Sequence, residues 1–531
     1  MNFSRPFLGN LALVLVATAF AAGCSSKNPL FCDLRSTCDD EERSFCDIDR
    51  AYPGTELANE CIARPSADAC NRAELCPAPM HCSGEEMGIC VECTKNRHCD
   101  GLLSCDPRNN QCTTATIIAC DPDNGGDADC SAASDDLPFC GEDAICVGCL
   151  SDANCASNVA EAICDEVDFE CRGCLENAEC ESGLCGDDGS CADEANIVYV
   201  NNATGLDSGN CGTASAPCKT IGVGLGQVAG LRNTVLVAAG TYAERIEIAD
   251  SNLALVGQGD VVVRTSLAAS EQLVAISGTA AVVIENIEFG MLAAAVGADM
   301  ISCSGGSARL ELNAVVVNGA DDIGVVGENC DLTIRESTIA ASGGVGVQMT
   351  DGTLTLHAST IESNAKGGVD IDGANYSLVN NFITQNGGAA SVTGGVRIED
   401  TASRDEEFAH NTIAQNSRVS GSGIGSALRC EVASVVATNN IFMLEDASTA
   451  DLVSGCGTQY SLFDASSAMA NGTGNISGEA VFVDPTAKDF HLASGSPGID
   501  AALAISTIAS DVDGDPRPLG AGADMGADEV E

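Results

Sequence analysis

The sequence predicts an all-β protein: a parallel β-helix preceded by a disulfide-rich region of low secondary structure. Apolar anchors recur between residues 289 and 441 at a spacing that returns three times to 22 residues. Of the 31 cysteines, 24 lie between Cys32 and Cys191. After Asp193 the composition changes to short alternating runs rich in Val, Ile, Gly, Asn and Thr. A period of this length built from short strands is what one coil of a β-solenoid consumes.

The chain opens with Arg5 and an apolar run, Leu11 to Phe20, followed by small residues. That run is too short to span a bilayer with its flanks, so residues 1–23 are expected to be an export signal. Ala21-Ala22-Gly23-Cys24 resembles the bacterial lipobox, and the resemblance implies a lipid on Cys24. Parity agrees, because one cysteine removed from 31 leaves an even number for pairing. Ser25 and Ser26 follow the anchor without the Asp that retains such proteins at the inner membrane. The expectation is an exported lipoprotein at the outer membrane or cell surface, with residues 24–31 as tether.

Residues 32–194 hold 37 acidic and 9 basic side chains and almost no apolar run of element length. Disulfides must therefore stabilise this region in place of a core. Cys90-x2-Cys93-x5-Cys99-x5-Cys105-x6-Cys112 recurs as Cys146-x2-Cys149-x5-Cys155-x8-Cys164-x6-Cys171. A third copy, from Cys171 through Cys174, Cys180 and Cys185 to Cys191, overlaps the second at Cys171. These modules resemble the Dickkopf-type cysteine-rich repeats of bacterial surface proteins. The C-x2-C pairs also fit a zinc site of four thiolates, but cysteine density in an exported chain favours disulfides.

The formal charge is −53, which excludes nucleic acid as a partner because phosphate binding needs clustered Lys and Arg. An anionic membrane surface is likewise excluded unless a lipid supplies the attachment.

The repeat over residues 195–480 follows from the anchors Phe289, Val317, Ile339, Ile361, Ile383, Ile413 and Ile441. Each has an apolar residue five places earlier, from Ile284 to Val436. Two residues before the anchors stand Ser337, Ser359, Asn381, Asn411 and Asn439. Three residues after them stand Ser342, Asn364, Asn386 and Asn416. Equivalent positions in successive coils lie about 4.8 Å apart, so these amides are expected to hydrogen-bond along a stack at inward turns. The same register puts Cys303 near Cys330 and Cys430 near Cys456 on neighbouring coils, and Cys211–Cys218 is a plausible local disulfide. Ile221, Val223, Leu225, Val228 and Leu231 could line one face of a capping helix.

Val198-Tyr199-Val200-Asn201-Asn202, Gly212 to Ile221 and Val235 to Tyr242 resemble the opening of DUF1565-type bacterial proteins. That resemblance, with its pectate-lyase-like fold, implies a right-handed single-stranded parallel β-helix. Phe482-Val-Asp484-Pro485, Asp511-Val-Asp513-Gly514-Asp515-Pro516-Arg517 and Asp524-Met-Gly526-Ala-Asp528-Glu529 resemble the C-terminal closure of such proteins. Residues 481–531 are expected to be that closing segment.

The β-helix class includes polysaccharide lyases and hydrolases, whose chemistry needs carboxylates on an outer strand face. Asp370, Asp372, Arg397 and Glu399 alternate outward on adjacent coils, with Gln348 one coil earlier. They are the candidate catalytic set; a solvated face with cross-strand ion pairs is the simpler expectation. Arg397-Ile398-Glu399 departs from the Arg-Ile-Lys of polygalacturonases, and Tyr376 and Tyr460 are nearly the only aromatic faces for sugar. Asp511, Asp513 and Asp515 could hold calcium, since alternating carboxylates in a Gly-containing loop can wrap a hard cation. His357, His410 and His491 are taken as coil or closing-segment residues. The expected role is a surface lipoprotein whose β-helix contacts a polysaccharide or surface-protein ligand; the alternative is a polysaccharide lyase or glycoside hydrolase.

Overall fold

A computed structural model describes most of residues 146–530. The gaps fall at 156–160, 166–168, 187, 294–295, 389–390, 392, 400–405, 418–425, 432–434, 445–451, 465–471; before 146 only short segments from Phe45 onward are described. The expected signal, tether and Cys24 lie outside the described residues. Two compact units divide close to Cys191.

In the first unit the described disulfides form modules of four cysteines. Cys120–Cys140 and Cys130–Cys146 make one, Cys149–Cys164 and Cys155–Cys171 the next, and Cys174–Cys185 and Cys180–Cys191 the last. In each, the first cysteine bonds the third and the second bonds the fourth. This corrects the overlapping frame: Cys146 ends one module, Cys149 begins another, and Cys171 is not shared. The third and fourth cysteines face each other across an antiparallel pair, as Cys140 with Cys146 and Cys164 with Cys171. The side chain three residues before the second cysteine accepts from the third cysteine's N–H. Asp127 does so for Cys140 at 2.7 Å, Asp152 for Cys164 at 2.9 Å and Asn177 for Cys185 at 2.8 Å. The Asx side chain at this place is thus shared by Cys149-Leu-Ser-Asp152-Ala-Asn-Cys155 and Cys174-Leu-Glu-Asn177-Ala-Glu-Cys180.

The second unit is a right-handed parallel β-helix. Among the described residues, 27 strands form one continuous sheet wound into coils of three strands. One face is built by strands such as β1 (Gly367–Asp372), β2 (Val396–Glu399) and β3 (Leu428–Cys430), paired in register. The inward residues of all three faces fill the core; Leu312, Ile334, Leu356 and Leu378 stack in one column and Val317, Ile339, Ile361 and Ile383 in another. At the N-terminal end a short helix, α1 (Ile221–Leu225), covers the first coil. Ile221 is buried, but the helix stops at Leu225 and Leu231 stands 83% exposed, so the apolar face is shorter than its spacing implied.

Two corners turn sharply through a residue in the left-handed region followed by an inward Ser or Asn. Asn380, His410 and Asn439 have φ of 56°, 54° and 60°, in a conformation that asparagine tolerates better than most residues. At one corner Ser359 N–H donates to Asn381 Oδ1 (3.0 Å), Asn381 N–H to Asn411 Oδ1 (3.1 Å) and Asn411 N–H to Asn440 Oδ1 (2.8 Å). At the other, Ser342, Asn364, Asn386 and Asn416 repeat the arrangement. These buried amides satisfy main-chain groups that the turn removes from the sheet.

The coil that carries Ile441 departs from the expected register by one residue. Ile413 pairs with Phe442 rather than Ile441, and Asn440 rather than Asn439 joins the ladder. Val436 is 51% exposed while Ala437 is buried inward. The reason is that Ile441 is buried too, on the outer side. Phe382, Ile441, Met443 and Leu462 form an apolar outer face covered by Phe490, Leu492, Met525 and Ala527 of the closing segment. Alternation is lost where both faces are covered.

Cys211–Cys218, Cys303–Cys330 and Cys430–Cys456 are bonded, the last two between neighbouring coils.

Candidate functional site

The outward row on the β1–β3 face runs Gln348, Asp370, Arg397 and Arg429, with Thr350, Asp372 and Glu399 beside it. The sequence-selected residues therefore do come together. Arg397 Nε donates to Asp370 Oδ1 at 2.9 Å, Nη2 donates to Asp370 Oδ2, and Nη1 donates to Glu399. Both oxygens of Asp370 are thus held by one guanidinium, and its side chain is only 10% exposed. Arg429 pairs similarly with Glu431, while Asp372 is exposed. This bidentate, charge-assisted fork occupies both carboxylate oxygens of Asp370. Tyr376 is 3% exposed and belongs to the core, so it offers no stacking face to a sugar.

The closing segment is built around Arg517. Its side chain is 2% exposed and pairs with the fully buried Glu529 at 2.6 Å. Nη1 also donates to Asp524 O, and Nη2 to Gly526 O. Asp511 Oδ1 accepts from the N–H groups of Asp513 (2.9 Å) and Asp515 (2.8 Å), and Oδ2 accepts from Glu529 N–H (2.9 Å). Of the three carboxylates weighed for calcium, Asp511 is committed to main-chain donors, while Asp513 turns to His491.

His491 lies in the closing segment, as expected, but with partners the sequence did not indicate. It lies on β5 (Asp489–Leu492), the second strand of a hairpin with β4 (Phe482–Asp484). Its Nδ1 meets Asp489 Oδ1 at 2.6 Å and its Nε2 meets Asp513 Oδ2 at 2.9 Å. Asp528 lies close by, 4% exposed, with Oδ2 accepting from Leu492 N–H at 2.6 Å. Burial pushes the Asp528 carboxyl up to about 6. Burial opposes charge on His491, but the Asp489 hydrogen bond and the nearby Asp513 and Asp528 outweigh it and raise its pKa. Phe382 packs edge-on against the ring at 5.0 Å.

His491 and Asp513 open on a pocket of about 510 Å³ between this segment and one coil corner, also lined by Ser337, His357 and Lys488. His491, Asp513 and Asp528 come from three separate stretches of the closing segment, so no local motif announces them. The one signal was the alternation Asp489-Phe490-His491 beside Asp511-Val512-Asp513.

Residues 299–463 match the family described as right handed beta helix region. No curated protein matches the chain. Among solved structures, pectate lyase Pel9A is similar at 13% identity, TM-score 0.34, over 64% of this chain and 100% of that one. A pectin methylesterase solved with a hexasaccharide is similar at 12% identity, TM-score 0.24, over 51% and 79%. The pectin methylesterase of Aspergillus niger is similar at 16% identity, TM-score 0.19, over 56% and 94%.

Proposed function

We propose that this chain is a non-catalytic surface lipoprotein, tethered through Cys24, whose β-helix is a stiff module for contact with an extracellular polysaccharide or surface protein. The observation that carries this reading is that Arg397 engages both oxygens of Asp370 and also Glu399 on the one outer face where sequence placed a catalytic set. Buried amide ladders support it as well, since they fix each coil to the next and suit a part that bears load without changing shape.

The test is depolymerisation of acidic and neutral polysaccharides by the full chain, with and without Ca²⁺, alongside Asp370→Ala and Arg397→Ala. Turnover abolished by either substitution would sink the scaffold reading and establish a lyase or hydrolase on this face. Absence of turnover, together with retention of the folded chain on an immobilised polysaccharide or surface-protein fraction, is the expected result.

A further inference from the structure

We propose that His491, Asp513 and Asp528 form a site for a divalent transition cation of the zinc class, with one coordination position open to the adjoining pocket. The proposal does not depend on the scaffold reading.

One ligand atom from each of these residues lies within 4.8 Å of the others. Ligands about 2.0–2.2 Å from a tetrahedral zinc stand roughly 3.3–3.5 Å apart, so small side-chain adjustments close the cluster. Its parts are also oriented. Asp489 holds Nδ1 of His491 at 2.6 Å, the carboxylate–histidine arrangement that fixes an imidazole for metal through its other nitrogen. Leu492 N–H fixes one oxygen of Asp528.

His491 Nε2 faces Asp513 Oδ2 at 2.9 Å, and the carboxylates of Asp489, Asp513 and Asp528, the last of them buried, surround the ring. Lys488, the neighbouring cation, is already engaged by Glu362 at 2.8 Å and Ser363 at 3.1 Å. A bound dication would offset the charge of these clustered carboxylates. An imidazole with two carboxylates suits Zn²⁺ better than Ca²⁺, which takes six to eight oxygens. Three protein ligands leave a fourth position, and the pocket lined by Ser337, His357 and Phe382 gives a small oxygen ligand room to reach it.

The experiment is calorimetric titration of the metal-stripped full chain with Zn²⁺ at 0.15 M NaCl, where diffuse binding to acidic surface is screened. One stoichiometric site is expected. Asp513→Asn, at a side chain 55% exposed and therefore safe for folding, should weaken it at least ~10-fold. Asp489→Asn should weaken it ~10–100-fold without removing a ligand. Zinc should also shift the His491 imidazole resonance. The proposal is overturned by an affinity unchanged in Asp513→Asn, by displacement with millimolar Ca²⁺, or by a His491 resonance that responds to pH and ignores zinc.

Discussion

His410 Nε2 accepts a hydrogen bond of 2.8 Å from Asn439 Nδ2, while its Nδ1–H donates to Asp524 O at 3.1 Å. The ring is 1% exposed and both nitrogens are satisfied only in the neutral form. Burial, with Arg517 nearby, pushes its pKa down to about 3. In the unfolded chain the imidazole protonates near pH 6.5, so the unfolded state gains protons first as pH falls. The stability this histidine contributes is complete above about pH 6.5 and is lost progressively towards pH 3, about 2–3 kcal/mol of it by pH 4.5. Denaturant unfolding between pH 7 and 4.5 should show this fall. His410→Asn, which suits the left-handed backbone there, should flatten that part of the slope.

Arg517 and Glu529 are buried together, so removing one leaves the other without a counter-charge. Arg517→Met should cost about 3–5 kcal/mol in the urea unfolding of the β-helix unit. Arg517→Met with Glu529→Met should cost less than the single change, and a double variant as unstable as the single one would contradict the assignment.

Asn386 Oδ1 accepts from both Asn364 N–H (3.0 Å) and Asn364 Nδ2 (2.9 Å), deep in the second ladder. Asn386→Ala strands buried donors and should destabilise by about 2–4 kcal/mol. Gln385→Asn, one residue earlier on the partly exposed side of the same turn, should change stability by less than about 1 kcal/mol. Equal effects at the two positions would argue against the ladder.

The cysteine modules share no cysteine. Replacing Cys149 and Cys164 together by Ser should therefore leave Cys174–Cys185 and Cys180–Cys191 intact in peptide maps of the oxidised chain. Scrambling of those downstream pairs would show that the modules are coupled.

Much of the coil register was legible because Phe289, Val317, Ile339, Ile361, Ile383 and Ile413 face inward while their neighbours meet solvent or turns. The reading slipped at Ile441, where the closing segment buries the outer side as well. Asn439 and Asn440 are adjacent and chemically alike, so sequence could not say which joins the ladder and which binds His410. The outward set at Asp370 and Arg397 was found from register alone, because cross-strand neighbours follow once two coils are aligned. His491 was missed because its partners Asp513 and Asp528 reach it only through folding of the closing segment.

The asparagine ladders have a direction. In each, a coil's N–H is satisfied by the asparagine of the coil that follows it in the chain, from Ser359 through Asn381 and Asn411 to Asn440. Synthesis delivers the N-terminal coils first, so every newly made corner carries an unmet donor until the next coil arrives. The C-terminal edge of any partial stack therefore carries a donor that only the following coil can meet. A ribosome-stalled or proteolytically shortened chain ends on such an edge, chemically open to a strand from another molecule.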